Sequence, residues 1–192
     1  MVKIGFICEG DTEQILLESS PFKQFLKSIN IESLPVINAQ GSGNLLPHNI
    51  SPYITLLEKQ GAEKIVIVTD LDEDVCITKT KQRISARPQD TVIVAVKQVE
   101  SWFLACSFTM RAFLRQPGFS YSKPEDENIP FETVNNLMIT HLGEGIGRAA
   151  GKIKLINRLL DYGLDITQAA DHSNCPSAQY FVNKLTEIGK KN

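Results

Sequence analysis

Apolar and polar positions along the first hundred residues fall into alternating strand-like and helix-like blocks. Residues 2–8 form a short β-rich run. Residues 12–29 then carry Ile15, Leu16, Phe22, Phe25, Leu26 and Ile29 mostly at helical spacing, with Asp11 as N-cap and Pro21 placed to kink or divide the helix. Residues 34–39 predict a second strand, closed by Gly41-Ser42-Gly43-Asn44. A helix over 53–60 stops at Gly61, 64–69 reads as a third strand, 74–85 as a weaker helix and 91–96 as a fourth strand.

A β-α-β-α-β-α-β order predicts an α/β fold, a Rossmann-like, four-stranded, mainly parallel sheet flanked by helices. In such sheets the functional crevice lies outside the carboxyl ends of the strands. Beyond Glu100 the strand pattern fades. Helices are expected over 101–114, 131–141, 149–160 and 177–188, with a polar loop over 116–130 and a frayed tail over 189–192. The expected organisation is a core over 1–105 and a helical extension over 106–192 packed on it as one folding unit.

That carboxyl edge gathers acidic side chains. Asp70, Asp72, Glu73 and Asp74 put four carboxylates in five positions directly after the third strand. Carboxylates so crowded repel one another, and a cation or a proton relieves the repulsion. Asp70 and Asp72 alternate, so both can turn to one side, and oxygen ligands of this kind suit Mg²⁺ or Mn²⁺. Asp74 is expected to cap the next helix and Glu73 to face water. The competing reading is a solvated acidic turn beside a helix N-terminus.

Two further acids bear on the choice. Glu9 ends the first strand, and Gly10 after it would let a phosphate approach the backbone. Glu13 reads first as a first-turn acid that stabilises its helix. Glu100 follows the fourth strand ahead of Trp102. Lys97, at the same strand end, is a candidate phosphate contact or a surface lysine. The Gly41–Asn44 loop either offers amides to a phosphate or simply turns the chain.

Composition narrows the partners. Net charge is −2, so no global field draws the chain to nucleic acid. Residues 1–100 hold ten basic and thirteen acidic side chains and residues 101–192 ten and nine, so a nucleic-acid patch is sought in the second half. Arg148, Lys152, Lys154 and Arg158 form two i,i+4 pairs there, either gripping a phosphate backbone or lining a solvated face. Cys8, Cys76, Cys106 and Cys175 are scattered, predicting reduced thiols and no zinc site. His141 and His172 read as structural or surface residues. No apolar stretch approaches the ~18 residues of a membrane helix, so a cytoplasmic protein without a membrane partner is expected.

Ile4-Gly5-Phe6-Ile7-Cys8-Glu9-Gly10 followed by Asp70-Leu71-Asp72 resembles the Toprim domain, shared by topoisomerases, DnaG-type primases, recombination proteins and OLD nucleases. Glu9 to Glu13, Asp70 to Asp72, Glu100 to Trp102, and Pro176-Ser177 with Phe181 are more narrowly similar to a bacterial Toprim-like family of unknown function. The first likeness covers about residues 1–105, the second most of the chain. The resemblance implies that Glu9 is the acid/base or metal-organising glutamate and that Asp70 and Asp72 hold Mg²⁺. A ligand role for Glu100 is a further expectation. The function then expected is a Mg²⁺- or Mn²⁺-dependent nuclease or phosphotransferase acting on DNA or RNA, in defence against foreign nucleic acid, alone or with a partner ATPase. The alternative is a non-catalytic Toprim-like module that binds nucleic acid or a partner. A phospho-receiver or haloacid-dehalogenase-like phosphatase ranks behind both, since each needs its acidic nucleophile, typically Asp, where this chain has Glu9.

Overall fold

The computed structural model describes residues 1–84, 87–147 and 151–190. The chain divides into two compact units, Met1–Val94 with Asn183–Asn192, and Ala95–Val182. The last turns of the final helix belong with the first unit.

The first unit is an α/β fold around a parallel sheet in the order β2-β1-β4-β5, with β3 also paired to β1. Strand β1 (Val2–Cys8) runs parallel to β2 (Ile31–Ser33), to β3 (Ile37–Asn38) and to β4 (Lys64–Asp70); β5 spans Thr91–Ala95. Two short strands stand where one was expected over 34–39: β3 lies within that range and β2 ahead of it. Pro35 lies between them, and a residue without an N–H interrupts the ladder.

The helix expected over 12–29 is likewise two, α1 (Asp11–Glu18) and α2 (Ser20–Ser28). Pro21 sits in the first turn of α2, where its missing N–H costs nothing, and Ser19 caps that helix by accepting from the Phe22 amide at 3.3 Å. Helix α3 (Pro47–Lys59) begins six residues before its expected start, with Pro47 in its first turn and Pro52 tolerated on an exposed side. Helix α4 (Ile77–Ile84) starts later than expected.

Side-chain alternation along β1 assigns the two faces of the sheet. Phe6 meets Phe22 of α2 edge to face at 5.7 Å, while Ile7 joins Ile54, Leu57, Ile65 and Ile67 on the α3 side. Gly5 lies under Leu57, where a Cβ would come within 2.8 Å of that side chain, so this strand position admits no larger residue without moving α3.

The second unit is built of helices: α5 (Glu100–Ala105), α6 (Ser107–Leu114), α7 (Pro130–Leu142), α8 (Gly151–Asp161), α9 (Ile166–Ala170) and the beginning of α10 (Pro176–Lys190). Trp102 is fully buried and stacks on Phe181 at 5.4 Å. Of the tail expected to fray over 189–192, residues 189 and 190 are helical, and 191–192 lie outside the described residues. Gly189 approaches α2 so closely that a Cβ would lie 1.9 Å from the Ile29 carbonyl oxygen. Among the described residues, no helix is long and apolar enough to cross a membrane.

Candidate functional site

Strand β1 has β2 and β3 on one side and β4 on the other, so the chain reverses its winding direction at β1. In open α/β sheets the crevice at such a switch point, outside the strand carboxyl ends, is the usual ligand site. Glu9 leaves β1 there and Asp70 ends β4. The register pairs Cys8 with Val68, and the Glu9 amide donates to the Val68 carbonyl at 3.1 Å, continuing the ladder to the acidic residues.

Glu9 is held by two donors from β4. Thr69 Oγ1 donates to Glu9 Oε2 at 2.6 Å and the Asp70 amide reaches the same oxygen at 3.4 Å. Thr69 is wholly buried and Asp70 is 8% exposed. Thr69 carries no sequence signal of this role. A threonine in a Val/Ile run reads as a β-former, and spacing alone does not show which carboxylate its hydroxyl meets.

Asp72 lies in the exposed loop after β4, with its backbone in the left-handed region at φ 47°. It lines an open depression with Ser42, Leu71, Glu73, Asp74 and Arg83. Ser42 of the Gly41–Asn44 turn thus borders the acidic loop, and the Gly41 amide donates to the Glu9 carbonyl at 2.8 Å. Glu73 is exposed. Asp74 is not a helix cap: its Oδ2 accepts from Thr80 Oγ1 at 2.8 Å and from Arg83 Nη2 at 2.7 Å. The Arg83 guanidinium, and then the Thr80 hydroxyl, hold the Asp74 carboxyl below the usual carboxylate range.

Gly10, not Asp11, occupies the N-cap position of α1, with extended backbone at φ −147°. A Cβ on Gly10 would meet Glu13 Oε2 at 3.3 Å, and Glu13 is buried rather than solvated in the first turn. Asp11 instead accepts from Asn38 Nδ2 at 2.7 Å. Cys8 beside Glu9 is buried, and burial, then the charges of Glu13, Glu18 and Asp11, push its thiol far up, leaving it an inert core residue.

The remaining candidates belong to the second unit. Lys97 is half-buried with φ 60°. Gln40, Asp72 and Lys97, at φ 59°, 47° and 60°, each stand two residues beyond a strand, so β3, β4 and β5 all end in the same left-handed kink. Glu100 is fully buried in α5 and ion-paired with Lys152 Nζ at 3.2 Å. Arg158 pairs with Glu144 at 2.7 Å. Two of the four α8-region cations are thus engaged by carboxylates, Lys154 is exposed, and Arg148 lies outside the described residues. His172 is structural: Nδ1 accepts from the Asn174 amide at 3.1 Å, which leaves Nε2–H to donate to the Tyr121 carbonyl at 2.8 Å.

The two late motifs meet each other. Trp102 Nε1 donates to Ser177 Oγ at 2.7 Å, and Ser177 Oγ donates on to Glu125 Oε1 at 2.6 Å. Glu125 also accepts from the Ser177 amide at 2.9 Å, setting a carboxylate at the start of α10. This gives Trp102, Ser177 and Phe181 a packing role.

Among the described residues, no three His, Cys, Asp or Glu side chains form a group able to hold a metal ion. Glu9 and Asp70 stand at adjoining strand ends, and Asp72 follows on the loop after β4. Mg²⁺ is commonly held by only one or two carboxylates, its remaining positions filled by water and substrate phosphate, so this donor set fits a loosely held hard cation and not an all-protein cage. Comparison with protein-family models, with curated proteins and with solved structures returns no match to this chain.

Proposed function

We propose that the chain is a Mg²⁺- or Mn²⁺-dependent, Toprim-like hydrolase of nucleic-acid phosphodiesters. The observation that carries this reading is the joining of Glu9 and Asp70 at the carboxyl ends of neighbouring strands, with Thr69 fixing the glutamate. Asp70, Asp72 and Glu9 would hold the ion, which would supply an activated water and stabilise charge on the transferring phosphoryl group. Glu9, fixed through Oε2, keeps Oε1 for a proton or a ligand. Gly10 and the Gly41–Asn44 turn border the approach to Glu9. Glu100 is ion-paired with Lys152 and has no part in holding the ion.

A second reading, a metal-free Toprim-like binding module, draws on the lack of any three-ligand group among the described residues. Incubating the purified chain with Mg²⁺ or Mn²⁺ and end-labelled single- and double-stranded DNA and RNA separates the two. The hydrolase reading expects cleavage that Asp70→Asn and Glu9→Gln each reduce by at least about 100-fold. Binding without cleavage of any substrate supports the module instead.

A further inference from the structure

Helix α4 and the tip that precedes it are the least explained surface next to the acidic depression. Residues 75–84 carry Lys79, Lys81 and Arg83 and no acidic side chain, directly after four carboxylates in five positions. The helix seats itself through Thr80 and Ile84, which are fully buried. At helical spacing that places Lys79 and Arg83 together on one flank and Lys81 on the other. The Lys79 flank is the one that borders the depression, because Arg83 lines it with Asp72 and Asp74. Arg83 spends Nη2 on Asp74, yet a guanidinium has five N–H donors, and this side chain is 38% exposed. Ahead of the helix the chain presents Val75 at 82% exposure, and the helix opens on Ile77 at 36%, two apolar side chains next to an acidic loop.

We propose that the Lys79–Arg83 flank of α4, with Val75 at its tip, is the docking surface for an unpaired nucleic-acid strand entering the Glu9–Asp70 site. An acidic site repels a phosphodiester, and a net charge of −2 supplies no long-range attraction, so cations beside the site must offset the repulsion. The exposed apolar tip selects the occupant. Unpaired bases offer apolar faces to such a side chain, and a duplex keeps those faces stacked inside.

The choice of a strand as occupant rests on the hydrolase reading, and the test keeps the two apart. Anisotropy of a fluorescein-labelled oligonucleotide of about 20 nucleotides is measured in EDTA, so nothing is cut, as DNA, as RNA and as the annealed duplex. The expected result is binding of a single strand, DNA or RNA, over duplex. Lys79→Ala with Arg83→Ala should weaken it about tenfold and lower the slope of log K against log salt by about 1.4. Val75→Ser should weaken binding with the slope unchanged, and Lys23→Ala with Lys27→Ala on exposed α2 positions should change neither. Because Arg83 also holds Asp74, Lys79→Glu alone, confirmed folded by circular dichroism, must weaken binding too. The proposal is overturned by unaltered binding in Lys79→Glu, by no binding in the wild type, by duplex bound as tightly as single strand, or by displacement of the oligonucleotide by polyglutamate at equal charge. Wild-type protein that binds through α4 yet never cuts sinks only the hydrolase reading; cleavage with α4 variants binding normally sinks only this one.

Discussion

Thr69 Oγ1 donates to Glu9 Oε2 at 2.6 Å, tying the end of β4 to the end of β1 through a buried hydroxyl. Both donors that reach Glu9 from β4 go to this one oxygen, which they fix in place as their acceptor.

A hydrogen bond to a charged acceptor contributes about 2 kcal/mol, and deleting one partner leaves the other unsatisfied. Thr69→Val should therefore lower unfolding stability by about that amount, while Thr69→Ser keeps most of it. If Glu9 holds an ion, Thr69→Val should also weaken Mn²⁺ binding by about tenfold, read by calorimetry, and Thr69→Ser should restore it. Equal stability of Val and wild type in urea melts would show that the bond contributes nothing.

Asp72 pays for its position with strained backbone. A non-glycine residue at φ 47° costs about 1 kcal/mol relative to glycine, although aspartate and asparagine tolerate the region better than alanine. Since Asp72 is exposed, little packing competes with this term. Thermal melts should rank Asp72→Gly above wild type, Asp72→Asn near it and Asp72→Ala below it. Metal-dependent activity should fall in all three. A glycine variant no more stable than wild type would mean that the left-handed kink is not strained.

The strand and helix alternation of the first hundred residues was legible because apolar period and glycine or proline punctuation agree over 2–8, 64–70 and 91–95. Boundaries slipped where a proline serves two roles: Pro35 lies between β2 and β3, whereas Pro47 and Pro52 both lie within α3. Glu9 and Asp70 were legible as strand-end acids, and their meeting follows from β1 pairing with β4. Thr69, Glu125 and the Asp74–Arg83 tie were not. Each depends on which distant polar atom a side chain meets, and periodicity carries no information about that. Helix α9 escaped because five residues, Ile166–Ala170, are too few to show a helical period.

The Glu125–Ser177–Trp102 chain makes a prediction for the second unit. Ser177→Ala removes a donor to a buried carboxylate and the acceptor for the Trp102 indole at once. Leaving buried polar partners unmatched costs about 1–3 kcal/mol per group, so Ser177→Ala should lose about 3 kcal/mol. Trp102 is the chain's one tryptophan and is fully buried, so its emission reports the unit directly. A red shift at lower urea in Ser177→Ala is expected, and superimposable curves would exclude a stabilising network.

Tyr121 gives the second unit an alkaline limit. Burial, then the hydrogen bond its hydroxyl donates to Glu127, push its pKa up to about 12 from an ordinary value of about 10. Glu127 is held in turn by Thr133 Oγ1 at 2.8 Å, so the acceptor is fixed before the tyrosine reaches it. A folded pKa above the unfolded one means that the neutral phenol is favoured in the native state. Its stabilising contribution is complete below about pH 10 and is lost as pH rises through about 12. Urea unfolding followed across that window should show wild-type stability falling more steeply than that of Tyr121→Phe, with the difference between the two constant at lower pH. Parallel falls would mean that the phenol ionises as it does in the unfolded chain.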